Sequence, residues 1–565
     1  MADTTTSVPS GPPAEAGGKG LKGGALGLGS SIVIAVASTA PGYSLAAVLA
    51  YIALEAGYQS PAIMVLAFVP MYFIAKAYQA FNEVDPDCGT TFKWVWRSFG
   101  PRAGWLGGWG VIVADVLVMA SLAQIAGSYF FLLFGADDLA SDKYWVTFVG
   151  VIFLVVVTWI CYKGIELSAR TQFFLLGIEM TVLVVFSVVA LWRAISGNGA
   201  LETSVTPELS WLLPTGMSWG ELAAGMILAI FIYWGWDTAV AVNEETSDPS
   251  KTPGKAAVLS TLALLATYVL VATAALAFGG VEGVTAEDHL DDILGYLGEL
   301  VLGTWGGKLL ILAVLTSAVA SAQTTILPTA RTTLSMAAYR AMPRSFARMH
   351  PINLTPTVST IVMGVVSIAF YAGLTFISEN VLADSIAATG LAIAFYYGIT
   401  GFAATWYFRN RAQGLRQVMA KIVLPFLGGI ILFAAMIKVG YDSLDADYGY
   451  TTFFGLGGVF VIGALSLGLG LVLMILWNLK DPEYFRSQPQ DMEPRVLVDQ
   501  VQEYRLVVEG SGIPYNPEAL LAEAREEPAV PVVAEEAAVF LQDLGDQSLN
   551  PPATEPVDPD EHPRA

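Results

Sequence analysis

"ASTAPGYS", Ala37–Ser44, interrupts the first long apolar run of the chain, Leu26–Leu54, which carries no charged residue. A helix crossing ~30 Å of hydrocarbon needs about 20 apolar residues, with its backbone amides paired internally. Pro41 removes one amide and disfavours helix at the residue before it, while Gly42 admits unusual dihedrals and close approach of a ligand. Non-helical backbone survives at that depth only where it is buried in protein or lines a cavity. The freed amides of Ser38 to Gly42, with the Ser38 and Thr39 hydroxyls, suit a carboxylate at a half-helix N-terminus. Read alone, the segment fits a plain proline kink equally well.

A second interruption favours the binding reading. "ILAIFIYWGWDTAVAVNEE", Ile227–Glu245, sets Gly235 between two tryptophans, with Asp237 after them. Working outward from these two segments, twelve apolar spans are legible: Leu26–Leu54, Pro61–Ala80, Gly104–Phe134, Tyr144–Cys161, Thr171–Trp192, Trp219–Val242, Ala256–Phe278, Lys308–Ala338, Thr357–Phe376, Val381–Tyr407, Lys421–Val439 and Thr452–Trp477. The interrupted spans are the first and the sixth, so they cross in opposite directions. Broken helices at matching places of two inverted halves point to the central site of a carrier. The expected fold is an all-α membrane protein of twelve transmembrane helices. Spans one to five and six to ten form a 5+5 inverted repeat, and two helices are appended.

Composition supports the membrane assignment: 55% of the 565 residues are hydrophobic and only 14% charged, against roughly 25% in soluble domains. With the N-terminus taken as cytoplasmic, the inward connections carry sixteen Lys and Arg and the outward ones four. That bias expects a multi-pass protein of the plasma membrane with both termini inside. The net charge of −21 implies no basic or nucleic-acid partner, because the residues from Asp481 onward contribute −14 of it. That Pro/Glu/Ala-rich tail, 481–565, is expected to be mostly disordered, as are residues 1–22, leaving 23–480 as the helical domain. Cys88 and Cys161 are expected on the cytoplasmic side without metal-ligand company, and His289, His350 and His562 fall outside the spans. No cofactor or resident metal is called for.

Three further stretches carry a family resemblance: "NEVDPDCGTTFKWVWRSFGPRAGWLGGWG" after span two, "YWGWDTAVAVNEETSDPSKTPGKA" in and after span six, and "ARTTLSMAAYRAMPRSFARMHPINLTPTVST" after span eight. In this order on a twelve-span chain, residues 22–480 resemble a bacterial amino acid permease of the amino acid–polyamine–organocation superfamily. The resemblance implies secondary active transport of amino acids or related amines by alternating access. Spans one, two, six and seven would rock against spans three, four, eight and nine. It places the substrate carboxylate at Ser38, Thr39, Ala40, Pro41 and Gly42, and the amino group near Ile230, Phe231 and Tyr233. Phe231 would cap the substrate, while Tyr233, Trp234 and Trp236 would restrict the pocket to a small or slender molecule; packing between helices is the plainer reading of these aromatics.

The departures from the family pattern are informative. "STAPG" stands where the family has a Gly-Ser/Thr-Gly triplet, Asp115 where relatives commonly carry a tyrosine, and Glu179 where many proton-linked members carry a lysine. Intramembrane carboxylates are costly and count as functional candidates. Glu179 is expected to couple transport to protons; alternatives are a sodium site completed by Ser317 and Ser321, or a neutral hydrogen-bonded role. Asp115 is read as a ligand for a cationic substrate, a proton carrier or a polar helix contact, and Asp237 as either a helix-positioning group or a substrate contact. Glu244 and Glu245 are expected to pair with Lys or Arg near the cytoplasmic end. An exchanger or a non-transporting nutrient sensor would share this pattern. A metal-ion carrier is disfavoured by the lack of Asp and Asn around Pro41, and an intramembrane enzyme by the lack of a clustered nucleophile and base.

Overall fold

The backbone obeys the proline–glycine pair. Helix α1 (Leu28–Thr39) stops at Ala40, which adopts a left-handed conformation (φ 49°, ψ 68°), and α2 (Pro41–Ala56) restarts on Pro41. There the missing N–H is no loss, since first-turn amides have no intrahelical partner. A second turn at Gly57 (φ 53°) leads into α3 (Ser60–Val84). Then follow α4 (Thr91–Phe99), α5 (Pro101–Leu133), α6 (Lys143–Lys163), α7 (Ile165–Ser196), α8 (Trp219–Ile232), the single turn α9 (Thr238–Ala241) and α10 (Thr252–Val284). The order ends with α11 (Ile293–Ala338), α12 (Thr357–Ile377), α13 (Val381–Phe408), α14 (Leu424–Asp442) and α15 (Gly458–Lys480). The computed structural model describes residues 19–286, 289–290, 292–377, 380–446, 448 and 451–498; most of the two expected tails, 1–18 and 499–565, lies outside them.

The chain is an all-helical membrane protein. Among the described residues ten helices are long and apolar enough to cross a bilayer. One of these is the 57-residue run Leu28–Val84, which would reach about 85 Å if straight; the turns at Ala40 and Gly57 divide it. Helix α8, with 14 residues, is apolar but shorter. The broken pair is enclosed: α1 packs on α7, α10 and α11, and α2 on α8, α10 and α11. Helices α6, α7 and α15 lie outermost and turn Phe148, Trp159, Phe173, Phe174, Leu465 and Ile475 outward. Such apolar surface is stable only against lipid chains.

Several boundaries differ from the sequence expectation. A helical segment from Ile293 precedes the eighth predicted span, and Gly303 (φ 76°, ψ 177°) breaks the helix between the two, close to the predicted start at Lys308. The twelfth starts at Gly458 rather than Thr452, since Thr452–Phe453 pairs antiparallel with Leu456–Gly457. The ordered body also extends past both predicted edges, 22 and 481. Lys19 and Leu21 are buried, and beyond α15 so are Tyr484 and Phe485. Leu497–Val498 pairs in parallel with Arg348–Met349. Arg340 holds Asp481 through Nε at 3.1 Å and Nη2 at 3.0 Å, and Tyr484 donates to the Pro101 carbonyl at 2.8 Å. Long-range pairs of this kind leave no periodic trace in the sequence.

Candidate functional site

The two predicted interruptions meet. Helix α8 ends at Ile232, α9 resumes at Thr238, and Gly235 between them holds φ 116°. A Cβ at Gly235 would lie 2.8 Å from the Ser38 carbonyl carbon and 2.9 Å from the Thr39 nitrogen, so only glycine lets the second break rest on the first. Ser38 Oγ and Thr238 Oγ1 share a hydrogen bond of 2.8 Å. From α10, Tyr268 donates its hydroxyl to the Ile232 carbonyl left free where α8 stops.

The first break is held by a carboxylate. Glu179, on α7 and fully buried, accepts the Gly42 N–H at Oε1 (2.7 Å) and the Ser317 hydroxyl at the same oxygen (2.9 Å). The Tyr43 N–H donates to Ser317 Oγ at 3.1 Å. Charge and dipole agree, since a helix N-terminus attracts an anion. The amides expected to face a substrate carboxylate are engaged within the protein in this structure. Gly42 is engaged by Glu179, Ala40 donates to Val36, Pro41 has no N–H, and Ser38 and Thr39 belong to α1. The hydroxyls are also engaged, Ser38 with Thr238 and Thr39 with the Ala35 carbonyl at 2.8 Å. Glu179 Oε2, by contrast, is buried without a hydrogen-bond partner. Ser321 donates to the Ser38 carbonyl at 2.7 Å, so Ser317 and Ser321 both lie at the first break with Glu179.

The other two carboxylates are tied to neighbouring helices. Asp237 accepts from Tyr396 (3.0 Å) and Tyr397 (2.8 Å) on α13, and Trp234 Nε1 donates to Tyr396. The second break is thereby pinned to α13. Asp115 on α5 accepts from Thr329 on α11, a residue of neither break. Phe231 stands edge-on to Tyr43, with ring centroids 6.4 Å apart, and Trp236 stacks on Tyr397 at 5.1 Å. Ile230 is buried in the last turn of α8, and the Tyr233 hydroxyl is buried without a partner. One turn before Phe231, a cavity of about 290 Å³ opens between α2, α8 and α13, lined by Ala47, Val48, Ala224 and Ile227.

In the sequence Arg331 stands out only as a basic charge. In the fold it is 2% exposed on α11 and grips Glu245 with two bonds, Nε to Oε2 at 2.6 Å and Nη2 to Oε1 at 2.8 Å. Glu244 pairs with Lys19 at 2.5 Å, so both glutamates find the basic partners expected of them. Lys19 also reaches Asp87 at 3.0 Å. Burial works against the charge of Lys19, yet Asp87 and Glu244 beside it hold the ammonium well above the ordinary lysine range. In the sequence these groups show only as charges near apolar runs, and the partners lie 86 residues apart for Arg331 and Glu245 and 225 apart for Lys19 and Glu244.

Residues 26–466 match the family described as Amino acid permease. The chain is 26% identical over 424 residues to an uncharacterized transporter of Mycobacterium tuberculosis, covering 74% of this chain and 88% of that one. It is 23% identical over 395 residues to the serine/threonine exchanger SteT of Bacillus subtilis, covering 69% and 80%. It is also 21% identical over 297 residues to the arginine/ornithine antiporter ArcD2 of Lactococcus lactis, covering 49% and 58%. With a family match across most of its length and two interrupted helices in mutual contact, the chain belongs to the amino acid permease family of the amino acid–polyamine–organocation superfamily.

Proposed function

We propose that this permease carries amino acids or related amines across the plasma membrane by alternating access, in symport with protons, and that Glu179 is the coupling group. In this reading the chain crosses twelve times with both termini in the cytoplasm. Helices α1–α2 and α8–α9 are the broken first and sixth crossings of the inverted repeat, and α14 and α15 are appended. The observation that carries it is the bond from the Gly42 N–H to Glu179. One amide serves one acceptor well, so the glutamate and a substrate carboxylate compete for the end of α2. Protonation removes the charge of Glu179, weakens its hold on Gly42 and frees the dipole end for the substrate. Loss of the proton on the other side returns the glutamate to Gly42 and displaces the cargo. The substrate's amino group then faces the carbonyls around Ile230, Phe231 and Tyr233, with Phe231 and Trp234 as walls. Asp237, fixed by its two tyrosines, positions the break, and Asp115 joins α5 to α11.

The test is accumulation of a labelled amino-acid panel in proteoliposomes under an inward proton or an inward sodium gradient, for the native chain and Glu179→Gln. Concentrative uptake that needs the proton gradient and is lost in the variant supports the reading. Uptake driven by sodium alone transfers the coupling role to a cation held by Glu179, Ser317 and Ser321. A second reading, obligatory exchange, draws support from the exchanger and the antiporter among the similar proteins. It expects efflux of preloaded amino acid to drive uptake with either gradient collapsed. Saturable binding to the purified protein with no movement under any condition would instead favour a sensor.

A further inference from the structure

Eight residues ahead of α1 are built into the face that carries both described ends of the chain. Lys19 is 2% exposed, Leu21 and Leu26 are 0%. Leu26 exchanges two backbone bonds with the segment after α9: its N–H to the Glu245 carbonyl at 3.0 Å, and its carbonyl from Ser247 at 2.9 Å. Leu21 sits among Cys88, Leu334, Met349 and Val496. Lys19 bridges Asp87, in the turn before α4, to Glu244. Asp87 is itself fixed by Ser335 at 2.8 Å and by Tyr339 at 3.1 Å, both from the end of α11. The strap leaves α1, is zipped to the end of the second break, and anchors on α11 and the chain beside it. It thus crosses between the helices expected to rock and those expected to stay.

We propose that Lys19–Leu26 is a latch holding this face of the permease shut, with the Lys19 ammonium as its bolt and Leu21 as its seat. No element of the proposal depends on which ion drives transport. A charged group enclosed by two carboxylates is stable while all three stay together, and separating them leaves uncompensated charge. The face therefore has one closed arrangement held jointly by an ionic and an apolar contact, and it opens only when the strap lifts.

The chain supplies its own reporter. Cys88 is one of two cysteines, is buried beneath Leu21, and donates its thiol to the Arg331 carbonyl at 3.6 Å. In a Cys161→Ser background of the full chain, N-ethylmaleimide alkylation of Cys88 is timed in the purified protein for Lys19, Lys19→Gln, Lys19→Arg and Leu21→Ala. The proposal expects slow labelling with Lys19, at least tenfold faster labelling in Lys19→Gln and Leu21→Ala, and a rate for Lys19→Arg nearer the lysine form. Burial and Glu244 push the Cys88 thiol up, and Lys19 opposes them. Losing Lys19 alone therefore leaves less thiolate and slows the reaction, so acceleration reports exposure. Should Lys19→Gln fail to elute as a folded species, Leu21→Ala, which keeps every charge, decides. Equal rates in all four forms, or labelling of the Lys19 form as fast as in SDS, overturns the latch. Either result leaves the uptake experiment untouched.

Discussion

The buried pair of Arg331 and Glu245 allows the sharpest test of the fold. Glu245→Gln keeps the shape of the side chain but leaves a guanidinium that is 2% exposed facing a neutral amide. Its remaining contact is a long one, to the Leu327 carbonyl at 3.5 Å. Each charge-assisted bond is worth about 1.5–3 kcal/mol, and breaking a buried pair by removing one partner costs about 3–5 kcal/mol. The single variants Glu245→Gln and Arg331→Met should each lose about that much. The double variant removes both charges and should lose no more than the worse single, a coupling of at least ~3 kcal/mol. Denaturant titration in mixed micelles, followed by tryptophan fluorescence, gives the four free energies of the cycle. If the two losses simply add, within ~0.5 kcal/mol, the pair does not hold α11 to the second break and the reasoning fails.

Other outcomes follow from the same geometry. Gly235→Ala should be poorly folded or inactive, because its Cβ meets the Ser38 backbone and its φ is positive. Gly42→Ala, whose Cβ meets Glu179 and Ser317 at 3.4–3.5 Å, should keep the fold; equal expression and monodispersity of the two would contradict this contrast. Tyr397→Phe removes one of the two hydroxyls on Asp237 and should lower stability by about 1.5–3 kcal/mol, while Tyr441→Phe, on an exposed tyrosine, should not. Burial lowers Lys93 from 10.5 to about 8, with Asp87 and Asp85 acting against it. The unfolded chain then binds more protons than the folded one between those values, so the Lys93 contribution to stability rises with pH across that window, by at most about 1.4 kcal/mol per unit. Melting curves from pH 8 to 10 should therefore slope less steeply upward in Lys93→Gln than in the native chain, and an unchanged slope would contradict the assignment.

Much of the architecture was legible because hydrocarbon leaves few options. Apolar runs near 20 residues long mark the helices, and Pro41 and Gly235 mark the two places where the backbone departs from them. What was not legible depends on pairings across the fold. Glu179 is recognisable as an anomaly, yet only the packing of α7 against the first break reveals that it takes the Gly42 amide. Lys19 sits in a Pro/Gly-rich stretch that reads as a tail by composition, and only the pocket formed by Asp87 and Glu244 makes it structural. Gly303 illustrates the same limit from the other side. It stands inside an apolar stretch that reads as one run, yet its left-handed φ breaks the helix there. The sequence leaves Asp237 between two roles, because its partners Tyr396 and Tyr397 lie 159 and 160 residues away.

The segment after α15 has a practical consequence for anyone handling this protein. A truncation or fluorescent fusion made at Lys480, where composition turns acidic, would cut away the grip of Asp481 on Arg340, the bond of Tyr484 to Pro101, and the strand at Leu497–Val498. The same reporter joined after Val498 keeps all three and still discards the acidic extension. A shorter protein ending at 480 that aggregates would therefore be reporting a lost clasp, and carries no information about the removed tail.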